Sequence, residues 1–188
     1  MAEDIQSLRP LCDVLAVSFH KGIAHTPARL AEYEHQVSYA AIDAGADVIF
    51  GHHAHILKGI EKYKGKVIFH GLCNFVSYLP LLAPKPNQDP LSWARRRREL
   101  FGFDPDPEYP TYPFHPDAKY TIIAKCTVED KHLAQVGFLP CLVDMQAAPH
   151  VLERDAQGQA VFDYMDKITR AAELNAQFEW QGDEILVR

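Results

Sequence analysis

The sequence lacks several patterns that would assign the protein to a particular class. No stretch of its 188 residues approaches the run of about 20 apolar residues that crosses a membrane. The acidic start MAEDIQSLRPLCD has no continuous apolar core and does not predict a signal peptide. We expect a cytoplasmic protein as the chain is written, or a membrane-associated or extracellular one if a missing N-terminus carries a signal.

Paired cysteines and an excess of positive charge are also missing. The four cysteines lie far apart with no C-x-x-C, which argues against a zinc knuckle or a dithiol redox pair. The net charge is -6, so we expect no nucleic-acid partner. The one basic run, Arg95 to Arg98, is interpreted as the solvated face of a short helix, with an anionic polymer as the alternative ligand.

The order of apolar and helical patterns predicts an α/β fold in one domain over residues 1–188. Nearly unbroken apolar runs at 13–19 and 47–50 predict buried strands, and helical spacing predicts a helix over 28–44 between them. Strand, helix and strand in this order form a parallel pair with a right-handed crossover. A third strand follows a turn at Lys64-Gly65. Most prolines fall in an insert at about 80–117, for which we expect one short helix and an exposed surface.

The C-terminal part carries alternating patterns that predict antiparallel strands on both sides of a turn near Asp130-Lys131. A helix is expected over 158–175, and the chain closes with a hairpin around Gly182-Asp183.

Histidine and amide side chains follow the strands of the predicted parallel core. Ligands bind beyond the carboxyl ends of such strands. We therefore expect these side chains to converge on one edge of the sheet. Imidazole suits zinc, iron, manganese or copper, and a glycine lets the backbone turn sharply toward a ligand. The residues concerned are His20, Gly51, His52, His53, His55, His70 and Asn74.

The same reasoning finds no carboxylates at that edge. Asp13 and Asp47 begin their strands and therefore lie at the opposite edge, so only half of a hydrolytic two-metal site is visible. The remaining histidines are expected to be solvated on helix faces or loops; they are His25, His35, His115, His132 and His150.

Two stretches, DVLAVSFHKG and AIDAGADVIFGHHAHILKGIEKYKGKVIFHGLCNF, resemble the second half of the CapA proteins of poly-gamma-glutamate capsule biosynthesis. These proteins belong to the calcineurin-like metallophosphoesterase superfamily. The resemblance is close over 13–79, and the tail from 120 to 188 is compatible with it. It implies that the chain is the C-terminal portion of a four-layer α/β/β/α sandwich with mixed sheets.

The resemblance also implies a site for two divalent metal ions, of manganese, iron or zinc. His20 and the histidines at 52–55 would be the later ligands, and the choice between His52 and His53 stays open. Lys21 or His70 would stabilise developing negative charge, with Asn74 at the same edge.

The chain departs from the family pattern at several places. Lys21 replaces a tryptophan, Ala54 replaces a proline, and His70 to Asn74 differ from the usual Tyr-Ser-Leu-Gly-Asn stretch. The N-terminal half of the family, with its metal-binding Asp, Asn and His residues, is missing. We therefore expect a truncated or split product, completed by a homodimer partner or by a complementing N-terminal fragment.

Two functional hypotheses follow. The first is a metal-dependent hydrolase domain that acts on a phosphoester or a polyglutamate-type anionic substrate through a metal-activated water, once the missing ligands are supplied. The alternative is a non-catalytic subunit or scaffold that binds an anionic polymer, inactive because the N-terminal ligand half is absent.

Overall fold

The computed structural model describes residues 1–188 as an α/β sandwich with two sheets and four helices. The first sheet contains β1 (Ala16–His20), β2 (Val48–His52), β3 (Ile60–Tyr63) and β4 (Lys66–Phe69). Helix α1 (Ala2–Leu8) precedes this sheet, and helix α2 (Glu32–Asp43) connects β1 to β2.

The first sheet has the strand order β1-β2-β4-β3. Strands β1, β2 and β4 are parallel, with His20 opposite His52 in the register, so the predicted parallel pairing and the shared carboxyl edge are confirmed. The turn at Lys64-Gly65 joins β3 and β4 as an antiparallel hairpin, which makes the sheet mixed.

Helix α2 begins later than its helical spacing predicted. Residues 28–31 remain outside it, and Glu34 accepts a hydrogen bond from the backbone nitrogen of Ala31 at 2.8 Å. This capping interaction satisfies one of the free N–H groups at the start of the helix. The apolar side of α2 and Ile5 of α1 pack on one face of the first sheet, against Ile49 and Ile68.

The second sheet is antiparallel and lies beyond the other face of the first sheet. It contains β5 (Tyr120–Glu129), β6 (His132–Val143), β7 (Pro149–Val151), β8 (Phe178–Gln181) and β9 (Glu184–Val187). The turns predicted at residues 130–131 and 182–183 are both confirmed, since they connect β5 to β6 and β8 to β9.

The main core fills the space between the two sheets. Val48 and Phe69 of the first sheet join Phe138 and Ile185 of the second in one buried cluster. Helix α4 (Ala156–Ala171) contributes Met165 to that cluster and contacts strands of both sheets. Burial of this apolar surface is the main force that holds the sheets together.

The insert at 80–117 contains the predicted helix, α3 (Pro90–Phe101), which begins at the N-cap Asp89 and ends at Gly102 in the left-handed conformation. The insert is less exposed than expected, because Trp93, Phe103 and Tyr112 are buried. None of the helices has the length and apolar character that a membrane span requires.

Candidate functional site

His20 and His53 form the closest histidine pair at the carboxyl edge of the first sheet. The Nε2 atom of His20 lies 3.0 Å from the Nδ1 atom of His53, and the two rings meet edge to face with centroids 4.7 Å apart. Both side chains are exposed. The pair is therefore accessible to a ligand from solvent.

The turn after β2 places these groups by adopting an unusual backbone. His53 and His55 have left-handed φ values of +86° and +53°, and Cys73 in the neighbouring turn has +66°. A left-handed conformation at a non-glycine residue costs on the order of 1–3 kcal/mol and is frequent at functional sites. Gly51 enters the turn against the backbone carbonyl of His70, where a Cβ atom would overlap it.

His55 is held more rigidly than His53. Its Nδ1 atom lies 2.7 Å from the Oδ1 atom of Asn74, and the Asn74 amide nitrogen donates to the hydroxyl of Tyr112 at 3.1 Å. The His55 ring is stacked between His25 and Phe114, with centroid distances of 5.5 and 5.2 Å. Asn74 therefore acts as a positioning residue for His55.

The proline-rich insert supplies an aromatic cover beside the histidines, which the sequence did not predict. Phe101, Phe103 and Phe114 surround the ring of His25, which was expected to be solvated. Burial, aided by the neighbouring His55, lowers the pKa of His25 to about 4, and its Nδ1 atom has no protein partner. The only sequence signal for this contact was the density of aromatic residues in the insert.

Lysine and backbone contacts hold the loop that carries His25. The Lys58 side chain is buried and donates to the carbonyl oxygens of Thr26 and Arg29. Burial lowers the pKa of Lys58 to about 8. The loop is thus anchored to Lys58, which lies between the histidine turn and β3.

His52 is the register partner of His20 on the adjacent strand. It lines an apolar groove together with Phe50, Leu72 and Phe75, between the first sheet and β5. Alternation along β2 explains this placement, because Phe50 and His52 share the face that looks toward the second sheet.

Lys21 and His70 were expected at the active edge, but the structure places both in a buried network on the α2 side of the first sheet. The Lys21 Nζ atom lies 3.4 Å from a carboxylate oxygen of Glu34, and burial lowers the pKa of Lys21. His70 is fully buried with its Nε2 atom 2.8 Å from Glu61. Neither group faces the His20–His53 pair.

His35, expected in solvent, also belongs to this network. Its Nδ1 atom lies 3.1 Å from Glu61, and the hydroxyl of Tyr39 donates to the same carboxylate. Burial by itself would raise the pKa of Glu61, but hydrogen bonds from His70 and Tyr39 hold it below its ordinary value. Burial lowers the pKa of His70 despite this hydrogen bond.

The carboxylate half of the metal site expected from the family is not found beside His20 and His53. No further His, Cys, Asp or Glu joins this pair in a compact group of three ligand atoms. Asp47 lies at the opposite edge, where it pairs with Arg9 and Lys66, as the strand order predicted. The chain alone therefore presents two imidazole ligands, His20 and His53, with His55 nearby.

Comparison with known proteins finds relatives of the segment that contains this sheet edge. Residues 1–79 match the family model of the bacterial capsule synthesis protein PGA_cap. This segment includes β1 to β4 and the histidine turn after β2, and it is similar to the capsule-synthesis proteins of the CapA type.

Two relatives illustrate the match. The PGA biosynthesis protein CapA of Bacillus subtilis (strain 168) is 40% identical over 72 residues, which are 38% of this chain and 19% of that protein. The capsule biosynthesis protein CapA of Bacillus anthracis is 39% identical over 64 residues, or 34% of this chain and 15% of that protein. The matched segments thus cover less than a fifth of either relative.

Proposed function

We propose that this chain carries part of a metal-dependent hydrolase site of the CapA type, in which His20 and His53 bind one divalent ion. The observation that carries the proposal is the 3.0 Å separation between the two imidazole nitrogens at the carboxyl edge of a parallel sheet. The match of residues 1–79 to a capsule-synthesis family supports an anionic phosphoester or polyglutamate-type substrate.

The geometry of the pair fits a metal. Two nitrogen ligands at about 2.1 Å from one ion lie roughly 3 Å apart when they occupy adjacent positions. His53 takes preference over His52 as the ligand, because its Nδ1 atom lies 3.0 Å from His20, whereas His52 lines the apolar groove.

His55 supports the pair from the same turn. If its Nδ1 atom donates to Asn74, the lone pair on Nε2 is free for a ligand, which is the arrangement that fixes many metal-binding histidines. A bound ion would act as a Lewis acid toward the substrate and lower the pKa of a water molecule. The residues of this chain would bind the ion and hold it at the edge of the sheet.

We assign the remaining ligands of the site to a complementing segment outside residues 1–188 that covers β1. Strand β1 pairs only with β2, and its Ala16, Ser18 and His20 side chains are exposed. A segment laid on this face would end beside His20. A second copy of the chain is the other source of such a segment, and sedimentation distinguishes the two.

Metal content and hydrolysis test the proposal together. Protein loaded with manganese or zinc and analysed by plasma mass spectrometry should retain metal, and His53→Ala should lose the fraction bound at this edge. His132→Ala, at an exposed position on the second sheet, is the matched control. A His20→Ala/His53→Ala double variant that retains the same number of ions as the wild type would exclude a metal at this pair.

A manganese-dependent phosphodiesterase assay of the chain, alone and mixed with the N-terminal part of a CapA relative, separates binding from catalysis. Activity that appears only in the mixture and disappears in His53→Ala supports a shared site. Metal binding without activity in either sample would argue against hydrolysis and favour a non-catalytic function, which is the second candidate.

The second candidate is a non-catalytic scaffold for an anionic polymer. It is favoured by the exposed Arg95 and Arg96 on α3, neither of which forms a salt bridge, whereas Arg98 pairs with Asp104. Poly-gamma-glutamate binding that falls in Arg95→Gln/Arg96→Gln and is independent of metal would favour this function. Binding unchanged in that variant would exclude this surface.

A further inference from the structure

His35, Glu61 and His70 meet on the face of the first sheet that carries α2. The Nδ1 atom of His35 lies 3.1 Å from Oε2 of Glu61, and the Nε2 atom of His70 lies 2.8 Å from the same oxygen. The three ligand atoms all lie within 4.8 Å of one another. They come from three separate elements, since His35 is on α2, Glu61 on β3 and His70 directly after β4.

This arrangement matches the spacing of ligands around one ion. Nitrogen and oxygen ligands at about 2.0–2.2 Å from zinc lie roughly 3 Å apart in adjacent positions. Both imidazoles approach a single carboxylate oxygen, and the Tyr39 hydroxyl donates to the other one. Such a donor holds a ligating carboxylate in a fixed orientation.

The surroundings leave one route for an ion. The His70 side chain is fully buried and that of Glu61 is 10% exposed, whereas 33% of the His35 side chain is exposed. An ion would enter beside His35, whose side chain is the most exposed of the three.

The ligand types restrict the metal. Two imidazoles with one carboxylate suit zinc and other first-row divalent ions, whereas magnesium and calcium prefer sites built from oxygen ligands. The nearby Lys21 is paired with Glu34, so Glu61 supplies the negative charge that faces the ion.

We propose that His35, Glu61 and His70 form a separate binding site for zinc or a similar first-row ion, distinct from the His20–His53 pair. Bound metal would clamp α2 to the β3–β4 end of the first sheet. The site is assembled within residues 32–70, so it requires no ligand from another chain.

Zinc titration of the full chain in a His20→Ala/His53→Ala background tests this site apart from the edge pair. After chelator treatment, calorimetry should still detect one zinc ion per chain, and zinc should raise the melting temperature. Adding His35→Ala should weaken the affinity by more than about 100-fold and abolish the thermal shift, because one of the three side chains that bind the ion is lost. His132→Ala is the matched control and should change neither.

A second variant and a second metal test the same site independently. Glu61→Gln retains the shape of the side chain and removes its charge, so it should also weaken zinc binding if His35→Ala fails to fold. Cobalt should give the visible absorption of a low-symmetry site in the double-variant background. The proposal is overturned if that background binds no zinc, or if His35→Ala and Glu61→Gln leave its affinity unchanged. Neither result bears on the His20–His53 pair.

Discussion

The Nδ1 atom of His55 lies 2.7 Å from the Oδ1 atom of Asn74, and this contact determines which nitrogen of His55 faces the open edge of the sheet. An amide oxygen can only accept, so the Nδ1 atom must carry the proton. We therefore expect nitrogen NMR of the metal-free protein to show neutral His55 as the Nδ1–H tautomer. Observation of the Nε2–H tautomer would contradict this assignment.

Replacing Asn74 should disturb both of its partners. Asn74→Leu leaves the Nδ1–H group of His55 without an acceptor and removes the amide donor to Tyr112, which costs about 1–3 kcal/mol for an unsatisfied buried group. Urea unfolding measures the loss, and the His55 tautomer should become mixed. Asn87→Leu, at an exposed position, should be nearly neutral.

Gly51 tolerates no side chain because the backbone carbonyl of His70 occupies the space. Gly51→Ala should destabilise the protein by at least about 1–3 kcal/mol, the usual cost of overpacking, because neither strand can move without breaking the parallel pairing. Gly65→Asn provides the comparison, since the space beside Gly65 is open and asparagine tolerates its φ of +76°. Equal free energies of unfolding for the two variants would show that the contact has little effect.

Lys21 and Glu34 should be strongly coupled. Both side chains are almost completely buried, and their charged atoms lie 3.4 Å apart. Lys21→Met leaves a buried carboxylate without its partner and should cost about 3–5 kcal/mol. Adding Glu34→Gln should restore much of the loss, because glutamine removes the charge and its amide oxygen still accepts from Ala31. Additive effects in the double-mutant cycle would contradict this coupling.

Acid should destabilise the metal-free protein through His25. Its pKa is about 4 in the folded protein, below the ordinary value of 6.5, so the unfolded chain binds the proton more tightly between these pH values. Stability should therefore fall as the pH is lowered from 6.5 toward 4. A chain of this size loses about 2–4 °C in melting temperature for each kcal/mol.

The groups that face His25 act in the same direction. His55, His115, Arg97 and His53 all disfavour a second positive charge there. His25→Phe preserves the aromatic packing and removes the titration, so its melting temperature should depend less on pH in this range. His132→Phe should leave the slope unchanged, and an unchanged slope in His25→Phe would assign the acid sensitivity to other groups.

Local patterns were sufficient to predict the α/β class, the parallel order of β1, β2 and β4, and the edge at which His20 and the histidine triplet meet. Apolar runs and helical spacing report which face of each element is buried, and the right-handed crossover then limits the topology. The same reasoning correctly placed Asp47 at the opposite edge.

Side-chain direction was harder to predict. His52 and His53 are adjacent, yet one lines the apolar groove and the other reaches His20, because the backbone leaves the strand at His53 with a φ of +86°. A shift of one residue along a strand turns a side chain to the other face of the sheet. Alternation of this kind places Lys21 and His70 on the α2 side.

The sequence by itself determined the chemical groups available and the strand ends at which they lie, because both depend on short-range periodicity. Only the tertiary structure brought Phe114 of the insert against His55, and His35 and His70 against Glu61. These contacts join residues from separate elements, whose relative positions depend on how the elements pack around the core. The spacing of residues along the chain does not predict the distances between such side chains.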